Sequence, residues 1–444
     1  MTQESGSEVR NEGYTESLRQ PGDPVPESYT VAGYRVESGS TLDQLMSDAH
    51  AILEADKVKH FSLAEAEVSS KLINYNNTGD IVNADSVFLT EDQGLFDTVN
   101  RRFPEIWANY KEMKSLDWDE QEFGFEDCEV PFNTVNPAIA DRMRLTLGWQ
   151  WEGDTTAARA MASIASNFIG CSELAAAWIR IADNENVHVS TYSEIVRLAL
   201  PSKNDPIHEI IRHAETTRRM ETLGKVFSAC HKRSLMYGLG MVPNDQETYN
   251  HAMLFTTCLL LLERIQFMAS FAVTFAIGRI PEAQGFQPIV KAVQKICQDE
   301  LEVHVQLDKL IIANELRTER GRKFLEECWE LIDQMINEVV TSEVNWARFL
   351  LVEDDRPLAA ADGSLRLTFE DLRDWIYLAA HDVCAQFGLP CEYPLPEKVA
   401  VTEWIGEFLN ISATQSSNQE QQNNAYKTNV IRRDDSGMVF DFSY

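Results

Sequence analysis

The stretch "NENVHVSTY", residues 184–192, carries a carboxylate, an imidazole and a phenol at Glu185, His188 and Tyr192. On an α-helix, residues three and four apart share one face. The stretch sits within a helical pattern spanning 172–199, and the row falls on the side that should face the core. Taken alone, His188 reads as a structural histidine and Tyr192 as a core tyrosine with a bonded hydroxyl. What changes that reading is the company the row keeps.

Three other long helical segments carry isolated acids. Asp154 lies in "WQWEGDTTAARAMASIASNF", Glu263 in the most apolar helix of the chain, and Asp299, Glu300, Glu302 and His304 in "QDELEVH" (298–304). An ionised carboxylate in an apolar core is costly unless it is paired or metal-bound. Arg264 adjoins Glu263, but neighbours in sequence do not face each other on a helix, so Glu263 needs a cation from elsewhere. A four-helix bundle can supply one carboxylate from each of two helices and a carboxylate–histidine pair from each of the other two. That is the layout of carboxylate-bridged dinuclear sites. Asp154 and Glu263 are the single carboxylates; Glu185 with His188, and an acid with His304, are the pairs. Oxygen-rich sites with two imidazoles suit iron or manganese. Either pair alone is weak evidence, because E-x-x-H arises by chance in helical proteins; four helices in the right order are not weak.

The rest of the pattern agrees with an all-α bundle. Helices are expected near 98–116, 135–167, 172–199, 206–238, 246–279, 286–314, 322–351 and 368–387. Breaks fall at Pro201, Pro206, Pro243 and Pro281 and at "AAADGSL" (359–365). Three parts result: a polar, partly helical N-terminal extension (1–95), a metal-binding helical domain (96–410) and a flexible tail (411–444). Within the extension, 1 to about 40 reads as disordered, and 41–56 and 62–76 as short helices. The tail is polar, yet it ends in Val439, Phe440, Phe442 and Tyr444. Such an end suits docking into a groove on a partner.

The 444 residues are 44% hydrophobic and 25% charged, enough for a sizeable core. The 39 basic and 70 acidic residues leave a net charge of −31, which argues against binding nucleic acid or an anionic membrane. The eight cysteines are scattered, with no C-x-x-C pair, and the opening "MTQESGSEVRNEGY" is too polar for a secretory signal. A reduced, cytoplasmic protein is expected. The apolar run 252–278 has the length of a membrane span, but Glu263 and Arg264 near its centre mark it as a core helix.

From about Phe103 to the C-terminus, about three-quarters of the chain, these residues resemble the radical-generating small subunit of class I ribonucleotide reductase. "ANYKEMKSLDWDEQEF" (108–123), "WEGD", "ENVHVSTY" and "LLERIQFMASFAVTFA" carry the likeness; "SEVNWARFLL" and "AQFGLP" match more loosely. The resemblance implies a ferritin-like fold. It also implies a dinuclear centre of two metal ions, read as di-iron with di-manganese or a mixed iron–manganese pair as alternatives. Asp154, Glu185 and His188 would hold one ion. Glu263, an acid of "QDELEVH" and His304 would hold the other, with Glu185 and that acid as bridges. Tyr192 resembles the tyrosine oxidised to a stable radical, with Phe267, Phe271 and Ile296 as its apolar pocket. Trp118 and Asp299 resemble the relay to the subunit surface, Asp299 also orienting His188. Tyr426 and Glu420 resemble tail residues of the relay, and "MVFDFSY" the peptide that docks on the large catalytic subunit. A homodimer is implied, and an activity that supplies deoxyribonucleotides for DNA replication.

One departure stands out. The family pattern is D-E-x-x-H, whereas this chain has D-E-L-E-V-H, which puts Leu301 three before His304. Glu300, four before His304, still shares its face, and a π-bulge would absorb the extra residue. Glu302, two before, points elsewhere. Glu300 is therefore taken as the ligand. Two other functions fit the same layout less fully. A dinuclear oxidase or oxygenase of a small organic substrate would not need Trp118, Tyr426 or the aromatic C-terminus. A metal-storage protein would not need Tyr192 beside the ligands. His208, His213, His231, His251 and His381 lack matching acids and read as surface or structural residues.

Overall fold

A computed structural model describes residues 28–31, 34–37, 85–90, 96–200, 219–352 and 358–409. The chain divides into two units, Met1–Ser69 and Ser70–Tyr444. In the first, β1 (Ser28–Val31) and β2 (Tyr34–Glu37) pair antiparallel, with Tyr29 opposite Val36 and Val31 opposite Tyr34. This pair lies where the composition reads as disordered; Tyr and Val are residue types with high strand preference. The helices expected at 41–56 and 62–76, and the tail with Glu420 and Tyr426, lie outside the described residues.

The second unit is helical: α1 (Pro104–Ser115), α2 (Glu129–Thr134), α3 (Pro137–Ile164), α4 (Ser172–Ala199), α5 (Glu221–Gly238), α6 (Gln246–Leu261), α7 (Met268–Gly278), α8 (Gln287–Gln298), α9 (Val305–Glu315) and α10 (Glu319–Val352). A short hairpin, β3 (Leu358–Ala359) with β4 (Arg366–Leu367), precedes α11 (Phe369–Phe387) and α12 (Thr402–Leu409). Local chemistry sets the ends. Pro137 opens α3 behind Asn136, whose side chain accepts the Ala138 N–H at 3.0 Å. Thr368 and Asp371 form a reciprocal capping box on α11, which stops at Gly388 in the left-handed conformation (φ +66°).

The run Gln246–Gly278 is long and apolar enough to cross a membrane, but 94% of its most apolar window is buried inside the protein, so it is a core helix. It is not one regular α-helix. A π-helical segment, Leu262–Gln266, joins α6 to α7, and a second, Asp299–His304, joins α8 to α9. Each carries an acid of the expected site. Elements too short to show a period, α2, α12 and the β3–β4 hairpin, were not anticipated; the "AAADGSL" break is the turn of that hairpin. At Gly170, the segment 85–90 lies so close that a Cβ would come within 2.7 Å of the Val87 carbonyl oxygen, so only glycine fits.

Candidate metal centre

α3 presents Asp154, α4 presents Glu185, His188 and Tyr192, the first π segment presents Glu263, and the second presents Asp299, Glu300 and His304. All eight side chains are buried. Their donor atoms converge in two groups: Asp154, Glu185, His188 and Glu300, and Glu185, Glu263, Glu300 and His304. Glu185 and Glu300 belong to both. Glu300 Oε1 lies 3.0 Å from His188 Nδ1, and its Oε2 lies 3.3 Å from His304 Nδ1. Glu185 faces the same two nitrogens at 3.7 and 3.6 Å. Asp154 stands 3.7 Å from His188 Nδ1, and Glu263 3.9 Å from His304 Nδ1.

The extra residue of "QDELEVH" is taken up as expected for a π turn: Val305 N–H bonds the Glu300 carbonyl, five residues back. Glu300 thereby points inward, Leu301 packs at the edge of the core and Glu302 is exposed. Widened turns leave backbone groups to satisfy. Asn109 Nδ2 donates to the Val303 carbonyl at 3.0 Å. At the other π segment, the Gln266 carbonyl accepts Trp149 Nε1 at 2.8 Å and Arg219 Nη2 at 2.7 Å, and Ala269 N–H donates to Glu343 Oε1 at 2.8 Å. Arg219 and Glu343 form a buried ion pair. The guanidinium is sandwiched between Trp149 and Trp346, 3.6 and 4.6 Å from their ring centres. This pair anchors the backbone of the turn that carries Glu263.

The electrostatics are those of a carboxylate-rich cluster, buried away from water. Both oxygens of Asp154 and Glu185 are buried without a hydrogen-bond partner, and Glu300 meets only the two imidazoles, at 3.0 and 3.3 Å. Burial, then neighbouring carboxylates, pushes Asp154 and Glu263 well above the usual carboxylate range, and Glu185 upward. Burial pulls His188 and His304 down, but the surrounding carboxylates outweigh it and raise both. Burial raises Glu300 too, yet the two imidazoles hold it at about 2. Four carboxylates and two imidazoles, buried and otherwise unsatisfied, fit a pair of borderline transition ions.

Tyr192 is buried, and its hydroxyl has no hydrogen-bond partner. Burial, then the Asp154 carboxylate, raises its pKa well above the ordinary phenol, so it stays protonated. Phe267, Phe271 and Ile296 are buried as well, and the first two rings lie 5.5 Å apart. A Cβ on Gly153 would meet the Phe267 ring at 2.5 Å, so the glycine beside Asp154 makes room for that ring. Trp118 Nε1 donates to Asp299 Oδ2 at 2.7 Å, and the same oxygen lies 3.1 Å from His188 Nε2. His251 and His381 contact backbone carbonyls, of Glu247 and Tyr393, away from the cluster. Missed by the sequence reading were Arg219 and Glu343, and Asp308, buried four residues after His304; that spacing was the available signal for Asp308.

A helical bundle whose buried carboxylates and histidines meet in two overlapping groups defines the ferritin-like class of dinuclear-metal proteins. The description "Ribonucleotide reductase, small chain" matches residues 95–398, and the chain belongs to that family. It resembles the solved R2 subunit of ribonucleotide reductase from Clostridium botulinum at 17% identity and TM-score 0.61, covering 73% of this chain and 94% of that one. It also resembles the dimanganese(II) NrdF of Streptococcus sanguinis at 14% identity and TM-score 0.51, covering 71% and 98%. No curated protein sequence matches. The protein is thus the small subunit of a ribonucleotide reductase, an oxidoreductase, and its family implies a large subunit as partner. The oxygenase and storage alternatives are not favoured.

Proposed function

We propose that Asp154, Glu185 and His188 would hold one metal ion and Glu263, Glu300 and His304 a second, with Glu185 and Glu300 within reach of both. The observation that carries this is the sharing of those two carboxylates by both donor groups. Two iron ions, two manganese ions or one of each satisfy the donor set. Together with an oxygen-derived oxidant, ions held there would supply the one-electron oxidising chemistry, and Tyr192 would be the residue oxidised.

The protein's part is to place and protect. A neutral tyrosyl radical requires the phenol proton to leave with the electron, and Asp154 is the carboxylate whose charge does most to raise the Tyr192 pKa. Phe267, Phe271 and Ile296 exclude water from this part of the core. The hydrogen-bonded row His188–Asp299–Trp118 leads outward from the cluster. Tyr426, aided by Glu420, continues that route to the large subunit, which the C-terminal peptide docks, in a cytoplasmic homodimer. The test is to load the protein with Fe(II) or Mn(II) under anaerobic conditions, expose it to air or another oxidant, and record electron paramagnetic resonance. A tyrosyl signal in the native chain that is absent from Tyr192→Phe supports the proposal; no such signal with any metal and oxidant overturns the radical role.

A further inference from the structure

Helix α1 buries one face, and Ile106, Asn109 and Met113 lie along it. At intervals of three and four these residues form one stripe, with a polar amide in the middle of it. Asn109 is 6% exposed. Its Nδ2 donates to the Val303 carbonyl at 3.0 Å, while its Oδ1 is buried without a partner. An apolar side chain would fill this place without leaving an oxygen unanswered. What the amide gains is a single bond, to the backbone of the second π segment, Asp299–His304. Among the described residues no other side chain hydrogen-bonds the backbone of that segment.

The segment needs such a bond because it carries one residue more than a regular turn. Val305 N–H reaches back five residues to the Glu300 carbonyl. A carbonyl in a turn so widened is left for another donor. Val303 adjoins His304, and Glu300, four residues before His304, meets both imidazoles at 3.0 and 3.3 Å. We propose that Asn109 is a positioning residue of the metal centre. Its amide stabilises the inserted residue of the π turn, and so sets the register that aims Glu300 at both His188 and His304. This rests on the dinuclear reading above.

Glu302 is exposed, and deleting it turns D-E-L-E-V-H into D-E-L-V-H. Glu300 would then stand three before His304, still on the same face, in a regular helix whose own N–H groups meet its carbonyls. Asn109 would be dispensable there. A residue that merely packs α1 against this helix would matter equally in both backgrounds.

Four full-length chains test this: native, Asn109→Leu, the Glu302 deletion, and the two changes combined. The measurements are the melting temperature of the metal-free chain and Mn(II) binding, with free ion counted by its electron paramagnetic resonance signal. Asn109→Leu alone should lower the melting temperature and weaken at least one Mn(II) position by about tenfold or more. In the deletion background the same substitution should leave both measurements unchanged. Equal losses in the two backgrounds, or no loss in either, overturns the proposal. If Asn109→Leu does not fold, a folded chain recovered by the deletion supports the proposal, and no recovery overturns it. A native chain that binds no Mn(II) overturns the dinuclear reading, and the melting temperatures then decide whether Asn109 holds the turn.

Discussion

Asp299 receives the indole N–H of Trp118 at 2.7 Å through the oxygen that lies 3.1 Å from His188 Nε2. One carboxylate oxygen thus ties a partly buried ring to an imidazole of the metal cluster. The two rings stack nearly parallel, 18° apart with centres 6.0 Å distant. In the neutral ring, which is the form that binds metal, an Nε2–H directed at Asp299 leaves the Nδ1 lone pair toward Asp154, Glu185 and Glu300.

Asp299→Ala should therefore damage two things at once. His188 loses the group that fixes its tautomer, and metal affinity should fall about 10–100-fold. Trp118→Phe keeps most of the ring but loses the N–H. It should leave metal binding near native while turnover with the large subunit collapses. Measuring metal affinity and nucleotide reduction for both variants checks the split; equal losses of affinity in the two would contradict it.

The π turn chooses Glu300 over Glu302. Glu300→Gln should weaken both metal positions, because its carboxylate reaches both His188 and His304. Glu302 is exposed, and Glu302→Gln should bind metal as the native chain does. Isothermal titration of the two variants with Mn(II) separates them.

The Arg219–Glu343 pair is buried and capped by two tryptophans, so removing one partner strands the other charge. Arg219→Met or Glu343→Gln should each cost about 3–5 kcal/mol. The double variant Arg219→Met/Glu343→Met removes both charges and should recover part of that loss, measured by denaturant unfolding. Metal affinity should fall with the single variants as well, because the pair holds the turn that carries Glu263.

Without metal, the cluster ties stability to pH in a definite direction. Asp154, Glu185 and Glu263 have folded pKa values above their ordinary 3.8–4.5, and His188 and His304 above 6.5. The folded state thus holds more protons than the unfolded one. These groups' contribution fades as pH rises above the ordinary carboxylate and then the ordinary imidazole values. Glu300, held at about 2, acts oppositely and loses its contribution only as pH falls from 4.5 through that value. Metal-free protein should be most stable in mild acid and lose melting temperature toward alkaline pH, and added Mn(II) should reverse the loss. A metal-free protein more stable at pH 8 than in mild acid would contradict the cluster's electrostatics.

Helix α4 was legible to its ends: the apolar face, the start at Ser172 and the stop before Pro201 predict 172–199, and the helix runs Ser172–Ala199. The four-helix layout was legible for a related reason. An acid on an otherwise apolar helix must be answered by something, and that demand is local to each helix. The spacing of "QDELEVH" even called for a π turn at the place where one is found.

The π turn at Glu263 was not legible, nor was the pair that holds it, because Arg219 and Glu343 are 124 residues apart and meet only when α10 packs beside that turn. Asp308 stood at a readable interval from His304. That its carboxylate lies buried without any donor shows only in the folded structure. Periodicity reports which face of a helix is buried. Which groups meet on that face, and which are left unpaired, depends on helix rotation and long-range packing, and those were settled by the tertiary structure.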